Sequence, residues 1–291
     1  MAKLCKPLCA KMHLYSMRGN ANDMRSVKKT GLLFFVLVLA VSGFAQTSAV
    51  VPGDLSREKI DEIIKKFTDN ENVFRAAFTD YVFNRKALVQ TIGLGGQVTG
   101  TYRRDSFMTF GSDGGRFEKV LYAPIATTPP GFVTPEDLED LGGINPFALE
   151  PSAISHYNFR YVGTEHIDEL ELYVFDVRPK EIPDPKKSKL RLFTGRIWVD
   201  KDDLMIVRSQ GKAVPETKDN KFPVVLTTRA QIDGKYWFPV DARSDDELVF
   251  DNGNVIKIRM RVTYGDYRQG RTDIVIKEDP ENPDETPQKK Q

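Results

Sequence analysis

Alternation of apolar and polar positions with a period of two dominates the chain from Gln97 to about Tyr264, the pattern of half-buried strands. It is clearest at Leu190–Val214, LRLFTGRIWVDKDDLMIVRSQGKAV. There Phe193, Ile197 and Val199 fall on one face of a predicted strand, and Thr194 and Trp198 fall on the other. The run Asp200-Lys201-Asp202-Asp203 supplies turn formers before a return strand from Leu204. The pattern predicts an antiparallel hairpin with apolar groups on both faces, so both faces need cover. Other predicted strands are 98–105, 106–110, 116–122, 158–163, 170–178, 222–232, 235–240, 247–250 and 255–264. Asp233-Gly234 marks a two-residue hairpin turn, and Gly111–Gly115 and Asp251–Asn254 mark two further turns. In the last strand Ile256, Ile258, Met260 and Val262 alternate with Lys257, Arg259 and Arg261.

Helical periodicity occurs in two places. Ser56 is an N-cap for a helix to about Thr68, with Ile60, Ile63, Ile64 and Phe67 on one stripe. The next stretch, 73–92, is ambiguous: its start extends the helix, while Tyr81–Phe83 and Ala87–Ile92 favour strand. The second signal interrupts the strands. Thr134-Pro135-Glu136-Asp137 combines a capping residue, proline at the first helical position and acids in the first turn. A short helix to Leu141 is expected, then Gly142-Gly143 and the apolar Ile144, Phe147 and Leu149. Such an apolar insertion needs a surface to cover. It is either a lid on the concave face of the sheet, through Leu138, Leu141 and Phe147, or an ordinary packed loop.

The N-terminus changes the composition that matters. Arg25, Lys28 and Lys29 precede the apolar run Gly31–Val41, and Gly43-Phe44-Ala45 follows. That order is the pattern of a signal peptide cleaved near Ala45; the alternative is an uncleaved anchor, for which the run is short. Either Met1 or Met24 serves as the start, so residues 1–45 read as a signal peptide with an N-terminal extension. Cleavage would remove both cysteines, Cys5 and Cys9, and with them any disulfide or thiolate chemistry. It would also remove seven of the 42 basic and one of the 41 acidic residues, leaving 35 against 40 and a net charge near −5. A mildly acidic chain argues against nucleic acid as a partner. The charged, proline-rich segment 271–291 is expected to be disordered.

Catalytic and metal patterns are sparse. His166-Ile167-Asp168-Glu169 lacks convergent ligands for a metal, and Gly93-Leu94-Gly95-Gly96 does not open a helix as a dinucleotide site would. Asp200–Asp203 has neither the glycine nor the glutamate of a calcium loop. No nucleophile–base pair is recognisable, so no enzyme activity, metal or cofactor is expected. Large side chains remain: Phe193, Trp198, Met205, Trp237 and Met260 are either core or the lining of an apolar cavity.

A signal peptide, an amphipathic helix and a long antiparallel meander occur here in that order. With them come Tyr173-Val174-Phe175-Asp176-Val177-Arg178-Pro179-Lys180 and then Gly195-Arg196-Ile197-Trp198-Val199-Asp200. This combination resembles the LolA/LolB/RseB group of periplasmic proteins, the outer membrane lipoprotein-sorting class. The resemblance implies an α+β fold over residues 46–270, a single half-barrel domain: a strongly curved antiparallel sheet wrapped around a few helices. It implies a lipid acyl chain, or the lipid moiety of a lipoprotein, held in the concave cavity of a periplasmic or secreted binding protein. The alternative is an interaction or sensor module of the same fold, docking a membrane-anchored envelope protein. Those carriers close an empty cavity with an arginine; neither Arg103 nor Arg104 is assigned that part.

Overall fold

The computed structural model describes residues 49–270, apart from 112–114, 135–136, 138–148, 150 and 189. The chain divides into two compact units, 1–46 and 47–291. The predicted signal peptide and the tail beyond Gly270 lie outside the described residues.

Helix α1 covers Arg57–Phe78, capped by Ser56, whose hydroxyl accepts from the Lys59 N–H at 3.2 Å. It runs ten residues past the expected end at Thr68. The apolar stripe Ile63-Phe67 continues through Phe74 and Phe78, but its intermediate position is Glu71, a charge in a core register. That charge broke the sequence pattern without breaking the helix, because Arg229 neutralises it from the sheet.

Ten strands follow: β1 (Tyr81–Ile92), β2 (Val98–Phe110), β3 (Arg116–Tyr122), β4 (Tyr157–Ile167), β5 (Leu170–Pro179), β6 (Leu192–Asp200), β7 (Ile206–Val214), β8 (Val225–Ile232), β9 (Tyr236–Val249) and β10 (Val255–Gln269). They form one antiparallel sheet in the order β3-β2-β1-β10-β9-β8-β7-β6-β5-β4. It is curved and open, with β3 and β4 at its edges. Every neighbour but one is joined in sequence. The exception is β10 on β1, and the connector between β3 and β4 passes from one edge to the other. Among the described residues there is one α-helix, with a single 3₁₀ turn at Pro151–His156. A sheet wrapped around several helices is therefore not what the described residues show.

Two pairs of predicted strands are fused. Residues 98–110 form one strand and 236–249 another. Between the expected strands 235–240 and 247–250 lies the polar run Ser244-Asp245-Asp246, in which Asp245 faces Arg259 of β10 across the ladder. The Asp233-Gly234 turn forms as expected, with φ of 53° and 62° and Lys235 N–H donating to Ile232 O at 3.0 Å.

At Phe193 and at Trp198 both faces of the hairpin are covered, as the 190–214 pattern requires. On the helix side Ile63 and Phe67 pack with Phe175, Phe193, Ile197 and Val199, while Phe74 and Phe78 pack with Phe83, Met108, Phe238 and Val262. The axis of α1 thus crosses the strands. On the far side Trp198 packs with Leu172, Val174 and Val207, beneath a segment tied to β4 by reciprocal bonds between Val51 and Thr164 at 2.7 and 2.9 Å. Gly195 and Gly211 stand opposite each other in β6 and β7. A Cβ on Gly211 would lie 2.4 Å from the Phe193 ring, so the two glycines give that ring its place against the sheet.

Candidate binding site

A cavity of about 250 Å³ lies on the helix side of the sheet. Its floor comes from alternate positions of β1 and of β7 to β10. Val89, Val225, Ala242, Leu248, Ile258 and Met260 make that floor apolar. Residues Gly131–Thr134 and Asp137 of the β3–β4 connector form one wall, and residues 219–223 of the β7–β8 connector another.

Both walls are held by local hydrogen bonds. Thr134 N–H donates to Asp137 Oδ2 at 2.9 Å and Asp137 N–H to Thr134 Oγ1 at 3.2 Å, the reciprocal arrangement of a helix start. Further back, Thr127 N–H donates to Thr101 O at 2.9 Å and fastens the connector to β2. In the second wall the Thr217 hydroxyl accepts from the N–H groups of Asp219 and Asn220. Lys221 Nζ meets Asp251 at 2.7 Å, and the Arg191 guanidinium lies 4.8 Å from the centre of the Phe222 ring. The rim therefore carries Asp137, Asp219, Asn220 and Lys221 around an apolar interior.

One cation reaches the lining from the floor. Arg229 contacts both carboxylate oxygens of Glu71 at 2.5 and 2.9 Å, donates to Ile206 O at 3.2 Å and covers the Phe74 ring at 4.2 Å. Tyr264, also in the lining, is buried, and burial pushes its hydroxyl well above the ordinary tyrosine range. Beside the cavity, the Glu118 carboxyl on β3 receives hydrogen bonds from Arg85, Arg104 and Ser106. Burial alone would raise the Glu118 pKa. The bonds from Arg104 and Ser106 and the Arg85 charge outweigh it and hold the carboxyl down to about 2.

Of the side chains singled out in the sequence, Met260 lines the cavity. Met205 belongs to the Phe74–Phe78 cluster, and Phe193 packs under the N-terminal half of α1. Trp198 lies on the far face, where its indole N–H donates to Glu165 at 2.7 Å. Trp237 donates to Asp203 at 2.7 Å and so braces the Asp200–Asp203 turn. These four do not line the cavity. Leu138, Leu141 and Phe147 lie outside the described residues; Leu149, at the end of that segment, is buried among Ile63, Phe67 and Tyr157. Arg103 forms a bidentate pair with Asp105, and Arg104 with Glu118. The sequence reading missed Arg229, Glu71 and the 219–223 wall. A lone charge within the helical stripe was the available signal for the pair. Among the described residues no group of three or more histidine, cysteine or acidic side chains is placed to hold a metal ion.

The fold and cavity define a class: an open, curved antiparallel sheet with, among the described residues, one α-helix and an apolar hollow on the same face. No protein-family model matches the chain, and no curated protein does. Among solved structures, it is similar to a DUF1329 family protein from Desulfovibrio piger. The identity is 15% and the TM-score 0.36, covering 71% of this chain and 92% of that one.

Proposed function

We propose that this protein is a non-enzymatic binding protein of the LolA-like kind, acting in the periplasm or after secretion. It holds an acyl chain, free or carried by a lipoprotein, in the cavity above β7 to β10. The observation that carries this reading is the cavity itself: an apolar floor with polar groups at the rim suits a ligand with a hydrocarbon body and a polar end. Each methylene moved from water into such a site contributes about 0.8 kcal/mol, so a few buried methylenes give measurable binding. Met260 adds an unbranched side chain that can repack around different chains.

A fluorescent fatty-acid probe tests it. The wild-type protein should bind saturably. Ala242→Phe puts a ring into the hollow from a buried position of the floor; it should lower probe affinity at least about tenfold (about 1.4 kcal/mol) without lowering Tm. Background binding by folded wild type would overturn the reading. The alternative, a module that docks an envelope protein, is favoured by one observation: β3 is an open edge strand with Leu121 57% and Tyr122 51% exposed, a surface suited to strand addition.

A further inference from the structure

The sheet's far face carries a row of arginines that runs across the strands. Register places Arg103 of β2 and Arg261 of β10 on either side of Leu88. Arg261 stands directly opposite Arg243 of β9. Leu226 and Gln210 continue the row to Arg196 of β6, then Asp176 and Arg160. Five of its nine positions are arginine and one is aspartate. Like charges directly opposed across a ladder are destabilising, so the Arg243–Arg261 pair costs the isolated sheet something. Asp105 pairs with Arg103, Asp241 with Arg261, and Asp176 is shared by Arg160 and Arg196. Arg243 has no carboxylate partner among the described residues, and neither has Arg178 beside the row.

We propose that this row is the docking surface for the chain's own acidic segment Glu278–Glu285, EDPENPDE. Charge complementarity is the first argument. The segment holds five acids and no base, and arginine forks pair with carboxylates in two-point contacts. Reach is the second. Arg261 lies eight residues before the end of β10 at Gln269, about 27 Å back along the strand. Glu278 follows Gln269 by nine residues, about 30 Å of extended chain. A tail that turned back over the far face would bring its first acid level with Arg261. Direction across the sheet is the third. From Arg261 to Arg196 is four strand spacings, about 19 Å, and an extended stretch of eight residues that includes two prolines would cover about 25 Å. The row faces away from the cavity, so this docking stands or falls independently of acyl-chain binding.

The test places spin labels on Thr228→Cys and Asn282→Cys in the full chain, with Cys5 and Cys9 replaced by serine. Dipolar distances are read at low salt and at 1 M NaCl. A docked tail gives a narrow distribution near 15–20 Å at low salt. Salt or the Arg243→Glu/Arg261→Glu variant should shift it to a broad one near 30 Å or beyond, the dimension of a free tail of this length. Replacing the five acids by their amides, which leaves the sheet untouched, should do the same and covers the case in which the arginine variant fails to fold. A broad distribution at low salt overturns the proposal. So does a short distance that survives both the salt and the amide variant. A dipolar signal between singly labelled chains would put the segment on a second copy and overturn the intramolecular assignment.

Discussion

Glu71→Ala should destabilise this protein more than its position on a surface helix suggests. The Glu71 side chain is 0% exposed and that of Arg229 9%. Removing the carboxylate leaves a guanidinium buried against Phe74 with only the Ile206 carbonyl to compensate. Breaking one side of a buried ion pair costs about 3–5 kcal/mol, whereas replacing both partners by apolar groups is near neutral or stabilising. The expected order is therefore Glu71→Ala well below wild type, with Glu71→Leu/Arg229→Met close to it. Urea denaturation followed by far-UV circular dichroism measures all three. With an m-value of about 2 kcal/mol/M, the single change lowers the midpoint by about 1.5–2.5 M. If Glu71→Ala shifts the midpoint by less than 0.5 M, the pair is not buried as described. If the double variant is as unstable as the single one, the loss comes from packing around residue 71 and the electrostatic reasoning fails.

Three other outcomes are expected. Trp198→Ala should cost about 3–5 kcal/mol, because the ring is buried against Val174 and Val207 and its N–H is bonded to Glu165. Asp202→Ala, at an exposed turn position, should stay within about 0.5, and equal midpoints for the two would show the hairpin to be placed wrongly. Glu118 links stability to acid: its pKa is held near 2 in the folded protein against an ordinary value of 4.5. Its contribution is fully present above pH 4.5 and is lost as pH falls from 4.5 towards 2. The stability difference between wild type and Glu118→Gln should shrink over that window, and a difference independent of pH would count against the Arg104–Ser106–Arg85 arrangement. Export should release a form beginning at Gln46, which N-terminal sequencing of the secreted protein checks; recovery of an intact 24–45 segment in the membrane fraction would contradict it.

What was legible in the sequence was whatever depends on neighbours in sequence. The β6–β7 hairpin, its two faces, the Asp-Gly turn and the Ser56 cap follow from local alternation, backbone conformation and hydrogen bonding, and each is found in place. Failures occurred where a distant partner changed the meaning of a local residue. The helix was expected to end near Thr68, and the buried Glu71 beyond that point has its counter-ion 158 positions away on β8. The expected strands 235–240 and 247–250 are one strand, and Asp245 in the gap between them faces an arginine on β10. Trp198 and Phe193 stand on opposite faces as the alternation predicts, and both are packed in clusters outside the cavity that they were candidates to line. Which of two interiors each entered depended on sheet order, and period-two alternation does not encode that.

The cavity lies where α1 leaves part of the sheet's face uncovered. Ten strands spaced about 4.8 Å apart span about 43 Å along the curve, and a 22-residue helix is about 33 Å long and 10–12 Å wide. Lying across the strands, it can fill a single trough, with its buried stripe running from Ile63 to Phe78. The strands extend beyond that trough, and there the floor is Ala242, Leu248, Ile258 and Met260, walled by Gly131–Thr134 and Asp137 of the β3–β4 connector and by residues 219–223 of the β7–β8 connector. Arg229 sits on the boundary: its guanidinium touches Glu71 and Phe74 of α1 and also lines the hollow. A charged pair at that place neutralises a cation that would otherwise face a hydrocarbon ligand. Removing Glu71 should thus weaken the fold and leave an uncompensated charge in the cavity wall, and an acyl probe should register that charge in its affinity even at temperatures where the variant is fully folded.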